Sequence, residues 1–289
     1  MASLLGDGSR LHLQHGPIDL VIAAQSARTG ERQYAFEAAA NRFGTVLNEL
    51  VAELPLLRAE TTAASEIPVG KIARRMDAAI RPHAKDVFVT PMAAVAGAVA
   101  DEILAAMLKQ TELTRAFVNN GGDIALHLNP GCSYTAAMAG LDLANLGRIE
   151  LTGEAGIGGI ATSGRGGRSL SLGIADSITV LSNNAASADV AATLIANAVD
   201  LPHHKQIRRR AASLLQPDSD LGEREVVIFV GQLSQNEITD ALDAGVKVAN
   251  NMLNDGQINA ASLTLCGQQK LVGTIPVKLL DKLNEVENV

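Results

Sequence analysis

Residues able to do chemistry are concentrated in three short segments of this chain. In the first, Asn119-Asn120-Gly121-Gly122-Asp123 separates Phe117-Val118 from an apolar-polar run over 124–128. Exposed amides of Gly121 and Gly122 could touch a ligand there, with Asp123 anchoring a polar group. The second is Thr162-Ser163-Gly164-Arg165-Gly166-Gly167-Arg168, which is polar, glycine-rich and basic. It could cradle a phosphate, with Arg165 or Arg168 as the cation. The third is Ser187-Ala188-Asp189 followed by Thr193. On a helix, Asp189 and Thr193 stand at i and i+4 on one face. A carboxylate beside a hydroxyl offers hard oxygen ligands to Mg²⁺.

Each segment also has a purely structural reading. Asn120-Gly121 suits the centre of a tight hairpin, because a type I′ turn needs positive φ at both positions. Asp189 in the first turn of a helix capped by Ser187 would complement that helix's dipole. Residues 162–168 could be a glycine-rich hairpin loop. The chain has no Walker-type lysine, no GxGxxG leading from strand to helix, no HExxH and no zinc spacing. His127 lies on the strand after the glycine turn. His203-His204-Lys205 with Arg208, Arg209 and Arg210 is the one dense basic run, and such runs are usually solvated surface.

The elements that must position these groups can be read from periodicity. Strands are expected at 10–15 and 18–24, joined at Gly16-Pro17. Phe43, Val46, Leu47, Leu50, Val51 and Leu54 recur at helical steps, which predicts a helix over 31–54 ended by Pro55. A basic-faced helix over 69–80 and a brief strand over 87–89 follow. Pro91 then opens an alanine-rich helix over 92–108. Short turn-bounded runs at 115–119, 124–128, 134–139, 148–151, 159–162, 169–172 and 177–181 predict antiparallel strands. Then come a helix over 187–199, a strand over 225–230, a helix over 234–252, and a hairpin of 261–266 with 271–275 around Gly267. Strands cluster and helices do not alternate strictly with them, so the class is α+β within a single domain spanning 1–289.

Composition narrows the function. Of 289 residues, 47% are apolar, which excludes a disordered chain, and only 2% are aromatic, which argues against a base-stacking nucleic-acid platform. A net charge of −7 gives no general attraction to polyanions. Cys132 and Cys266 are far apart and suit a reducing compartment. The first residues show no secretory pattern, and the apolar run over 92–100 is too short to span a membrane. These features predict a cytoplasmic protein with no nucleic-acid or membrane partner. Open strand edges in an aromatic-poor chain, with an alanine-rich helix suited to close packing, predict a homo-oligomer.

Taken in order, the three segments resemble the ApbE family of FAD-dependent flavin transferases. Asn120-Gly121-Gly122-Asp123 is similar to the family's Gly-Gly-Asp turn. Thr162-Ser163-Gly164 is similar to its Thr-Ser-Gly, and Ala188-Asp189 with Thr193 to its Ala-Asp-x-x-x-Thr helix. Gly97 and Asp101 echo its Lys-Gly-x-x-x-Asp helix. The resemblance implies duplicated T-fold-type antiparallel sheets with helices packed on their outer faces. It implies a flavin- or nucleotide-like ligand, FAD, touching Asn120, Gly121, Gly122, Asp123, Thr162, Ser163 and Gly164. It further implies Mg²⁺ held by Asp189 and Thr193, and transfer of FMN to a Thr or Ser of a target protein. Ala96 stands where the family has its lysine, and 167–172 stands where it has a His and an Asp-Pro-x-Thr-Gly loop. The chain thus reads as a divergent branch. A pterin- or purine-handling enzyme, with Asp123 or Glu102 on the heterocycle edge, is the alternative, as is a non-catalytic binding protein. All three motifs are expected on one cleft.

Overall fold

A computed structural model describes residues 1–6, 8–139, 145–167, 169–274 and 277–278. The chain order is β1 (Ala2–Leu5), β2 (Arg10–His15), β3 (Ile18–Gln25), α1 (Glu31–Ala52), α2 (Leu54–Leu57), α3 (Lys71–Ile80) and α4 (Val95–Gln110). Next come β4 (Arg115–Asn120), β5 (Asp123–Leu128), β6 (Ser133–Ala139), β7 (Asn145–Thr152), β8 (Gly159–Ser163), β9 (Ser177–Ser182) and α5 (Ala185–Ala198). Last are β10 (Ile207–Ala211), β11 (Glu225–Val230), α6 (Gln235–Asn254), β12 (Ala260–Leu265), β13 (Gln268–Gly273) and β14 (Val277–Lys278).

Nine strands form one antiparallel sheet in the order β1-β2-β3-β4-β5-β8-β9-β12-β13. Both halves run hairpin, helices, hairpin: β2–β3 to β4–β5, then β8–β9 to β12–β13. They join through just two described residue pairs, Ile124 with Ile160 and Ala125 with Gly159. Period-2 alternation then decides which side chains meet which layer. Ala116, Val118, Ala125, Ala161, Ile178 and Val180 face the helices. Ile124, Leu126, Ile160 and Leu181 face the opposite way, onto the small sheet of β6, β7 and β14. On the helical side α1 packs on β2 and β3, α4 on β4 and β5, α5 on β8 and β9, and α6 on β12 and β13.

The α+β antiparallel class is therefore as the sequence implies, but the layering differs. Two sheets with helices on their outer faces were expected. The two halves instead pair edge to edge through β5 and β8, and the long helices share one face. Pro55 does not stop the helical path, because it takes the opening of a new short helix, α2, where its missing N–H costs nothing. Residues 87–89 and 169–172 are not strands. Three strands went unread: β1, β10 inside the basic run, which pairs with β11, and the short β14, which pairs with β7. Ile275 of the expected last strand lies outside the described residues. On α4, Ala98, Val99 and Ala100 are fully buried between α1, α5 and the sheet. Pro91–Gln110 is long and apolar enough by composition to cross a membrane, yet most of it is enclosed in this core.

α6 shows how locally a boundary is fixed. Ser234 accepts from the Glu237 amide, and Glu237 reaches back to the Ser234 amide, a complete capping box. These amide and hydroxyl donors hold the Glu237 carboxyl down at about 2, with His204 adding a further contact. A depressed acid contributes stability above the usual carboxylate range, and that contribution is lost as pH falls toward 2. Ser234→Ala is expected to cost about 1 kcal/mol and to move the Glu237 titration upward. Thermal denaturation and carboxylate-detected NMR check both.

Candidate functional site

The turn between β4 and β5 is a two-residue turn of Gly121 and Gly122, at φ 67° and 115°. It lies one residue later than the Asn120-Gly121 centre read from the sequence, so Asn120 is the last residue of β4. Asn120 is buried and donates from Nδ2 to the Ala96 carbonyl at 3.1 Å. The Gly122 amide is already donated, to Asn119 Oδ1 at 2.9 Å. It is therefore not a free ligand donor. Asp123 opens β5 and, by alternation with Ile124, turns toward the helices.

Immediately above this turn the N-termini of α4 and α5 meet. A Cβ on Gly97 would stand 2.3 Å from the Ala185 carbonyl, so only glycine lets the two helix ends touch. Both helices present the positive ends of their dipoles to the same place, which is unfavourable by itself. Carboxylates offset it reciprocally. Asp101 of α4 accepts from the Ala185 and Ala186 amides of α5 at 3.0 and 2.9 Å. Asp189 of α5 accepts from the Gly97 amide of α4 at 3.0 Å. Each helix is thus capped by an aspartate of its neighbour.

This overturns the expected local role of Asp189. Asn184, not Ser187, is the N-cap of α5, accepting from the Ser187 amide at 2.8 Å, and the helix starts at Ala185. Asp189 is past its own first turn and serves the first turn of α4. Burial is the largest cause pushing its carboxyl well above the usual carboxylate range. The charge of Asp123 pushes it further, the Gly97 and Ala96 amides pull it back, and Asp101 adds a smaller push upward. Asp101 is raised too, chiefly by burial, against the pull of the Ala186 and Ala185 amides and of Arg75. Thr193 follows one turn along α5, half-buried on the same side as Asp189.

The sequence motifs therefore converge in part. Asn120 and Asp123 join Asp189 around the paired helix ends. Thr162, Ser163 and Gly164 do not. Ala161 faces the helices, so Thr162 points to the other side of the sheet, where its hydroxyl meets Thr179 Oγ1 at 3.1 Å. Gly164 sits at the far end of β8 from Gly159, packed against the Asp176 carbonyl. At about 3.3 Å per residue that is roughly 16 Å away. Arg165 is not a free phosphate cation either, since Asp176 holds it at 2.7 Å. Arg168 lies outside the described residues. Glu102, a candidate for heterocycle binding, is clasped between Arg42 and Arg75 at 2.9 and 3.1 Å. His127 bonds the Leu113 carbonyl, and His204 pairs with Glu237. Asn184 was missed as a site-builder. Asp101 was noted by its spacing from Gly97 but given no role; that spacing is mirrored by Ala185 and Asp189 on α5.

A family model described as AbpE bacteria matches residues 2–271. The chain belongs to this family. The ApbE resemblance read from the ordered motifs is thus supported by a match over nearly the whole chain. Among relatives, it is 36% identical to a UPF0280 protein of Methanothrix thermoacetophila over 62% of this chain and 74% of that one. It is 34% identical to a UPF0280 protein of Methanopyrus kandleri over 56% of this chain and 64% of that one. Among solved structures, it is similar to the ApbE protein of Thermotoga maritima, with a TM-score of 0.46 and 12% identity over 90% of this chain and 96% of that one. The apo flavinyl transferase ApbE of Pseudomonas stutzeri has a TM-score of 0.46 and 12% identity over 92% and 93%.

Two outcomes test this geometry. Gly97→Ala is expected to destabilise by about 1–3 kcal/mol through overpacking, although alanine alone would favour the helix. Thermal denaturation checks it, and an unchanged Tm would mean the helix ends are not in contact. For Asp189 the sign runs the other way from an ordinary salt-bridged acid. Its folded pKa is raised, so ionisation costs stability, and wild type loses stability as pH rises through that raised value. Asp189→Asn keeps a carbonyl acceptor for Gly97 and removes the loss. The Tm difference between variant and wild type is expected to grow with pH, in metal-free buffer.

Proposed function

We propose that the paired ends of α4 and α5 form an Mg²⁺-dependent site for a flavin- or nucleotide-like ligand, FAD being the first to test. The observation that carries this reading is the charge balance at the crossed caps. Two helix N-termini supply roughly +0.5 each. Three carboxylates, Asp101, Asp123 and Asp189, bear on the same place. With all three ionised, about two negative charges are left over, and a divalent cation would relieve the burial cost carried by Asp189.

The donors present fit magnesium chemically. Asp189 and the Thr193 hydroxyl are hard oxygens, and Asp189 keeps part of its surface in solvent. Among the described residues no three acidic, histidine or cysteine side chains form a ready ion cage. That suits Mg²⁺, which commonly takes one or two carboxylates and completes its shell with water and phosphate oxygens. When bound, the ion would neutralise phosphate charge. The chain's own part is to hold Asp189 fixed through Gly97, to hold α5 fixed through Asp101, and to fix the turn through Asn120. Ser163 and Gly164 would contribute only to a ligand long enough to reach the far end of β8, and Thr162, on the other face of the sheet, would not contribute. Ala96 in place of a lysine makes ligand binding the firmer half of the proposal, ahead of FMN transfer.

Calorimetric titration with FAD, with and without Mg²⁺, tests it. Binding is expected with Mg²⁺ and is expected to weaken by at least about tenfold in Asp189→Ala, which keeps its fold. Equal affinity with and without the ion, or no binding of FAD, FMN or ADP, would overturn it. We extend the proposal to a homo-oligomer built on the open edges at β1 and β13. Light scattering at micromolar concentration is expected to give a mass above the 30.1 kDa of one chain.

A further inference from the structure

Away from the crossed caps, a groove of about 890 Å³ lies between the segment after α3, the second half of α5 and the last turns of α6. That volume lies within the usual range for a small-molecule site. Phe88, Leu194, Val248 and Met252 supply apolar wall, and His83, Asn197, Asn251, Asn254 and Gln257 supply polar groups.

We propose that this groove binds a planar nitrogen heterocycle of purine or pterin size, neutral or protonated, stacked on Phe88 and read by the surrounding carboxamides. Three features carry it. The first is a backed aromatic platform. The Arg224 guanidinium lies over the Phe88 ring at 3.2 Å from its centroid. It fixes the ring from one side, and a flat π-system can stack on the other.

The second is hydrogen-bonding capacity not spent within the protein. The side chains of Asn251, Asn254 and Gln257 make no hydrogen bond among the described residues. Asn197 uses its carbonyl on the Leu172 amide, which leaves its NH₂ as a donor. Carboxamides present a donor and an acceptor together, the pattern that matches the edge of a nitrogen heterocycle. His83 adds an imidazole that burial pushes below its ordinary value, despite Asp86 and Asp255 nearby. At neutral pH it can therefore donate from one nitrogen and accept at the other.

The third is charge. Lys85 is the one cationic side chain lining the groove, against Asp86, Asp200 and Asp255. Arg209 pairs with Asp200. The remaining balance is negative, so a phosphate is disfavoured inside the groove and an uncharged or protonated ring is favoured. On α5 the groove is lined from Leu194, next to Thr193 in the chain, to Asn197 and Ala198, yet nothing in this argument needs a metal.

The probes are adenosine, AMP, neopterin and riboflavin, measured by ligand-observed NMR and calorimetry on the full chain. At least one uncharged probe is expected to bind, and AMP to bind more weakly than adenosine. Phe88→Ala is expected to weaken binding by about tenfold or more, the scale of a lost stacking contact. Asn251→Ala, at an exposed position, is expected to weaken it several-fold with no change in Tm, which guards against a folding artefact in the first variant. Asp255→Asn is expected to narrow the gap between AMP and adenosine. Asp189→Asn is expected to leave adenosine binding unchanged, which separates this groove from the Mg²⁺ site. No binding of any uncharged probe at millimolar concentration would overturn the proposal. So would AMP binding more tightly than adenosine, or binding that survives both groove substitutions.

Discussion

The reciprocal capping of α4 and α5 is the constraint around which the rest of the molecule is arranged. Two parallel helix dipoles with touching positive ends would repel. The structure accepts that contact because Asp101 and Asp189 cross over to serve each other's helix. The exchange needs bare backbone at Gly97 and a helix that starts at Ala185. It also pulls the two halves of the sheet into one piece. α4 rides on β4 and β5, α5 on β8 and β9, and the strands beneath them meet through two described residue pairs and a Leu126 to Gly158 backbone bond.

The same device concentrates carboxylates where chemistry can use them. A cap normally satisfies an amide and is finished. Here Asp189 is half-buried close to Asp123 and Asp101, and burial and their charges push its carboxyl up. A group whose neighbours oppose its charge is a group whose environment a cation improves. Under the proposed function, structural capping and ligand capture would draw on one set of atoms in this AbpE family member, and a substitution at either aspartate would act on both.

Much of the fold was legible from periodicity, because alternation and helical spacing record which face is buried. β11 was read to the residue, and α3, α6 and the β2–β3 hairpin to within one or two. What failed has physical causes. β10 is composed of Ile207 and three arginines before Ala211, and its pairing with β11 is a tertiary fact that no local pattern carries. The layering of the sheet was illegible, since nothing in β5 or β8 alone says that their edges pair. The site was half legible. Asp123 and Asp189 were singled out by residue type and spacing, and they are neighbours. Thr162 was singled out in the same way, yet one step of strand alternation sends it through the sheet to the opposite side. The role of Asp189 was misread because helix starts are uncertain by a residue or two, and two residues decide whether an aspartate caps its own helix or the next.

The narrow β5–β8 junction has a consequence for how the molecule comes apart. Each half is two antiparallel strand pairs joined by one long-range pairing, β3 with β4 and β9 with β12, and such pairings close late. The seam between the halves contributes little ladder of its own, so its persistence is borrowed from the helix ends above it. Heating, or a rise in pH through the raised carboxyls of Asp189 and Asp101, would be felt first along that line, as a parting of the two halves. A bound ion at the crossed caps would act there as a rivet, and the temperature at which the halves separate would report its occupancy.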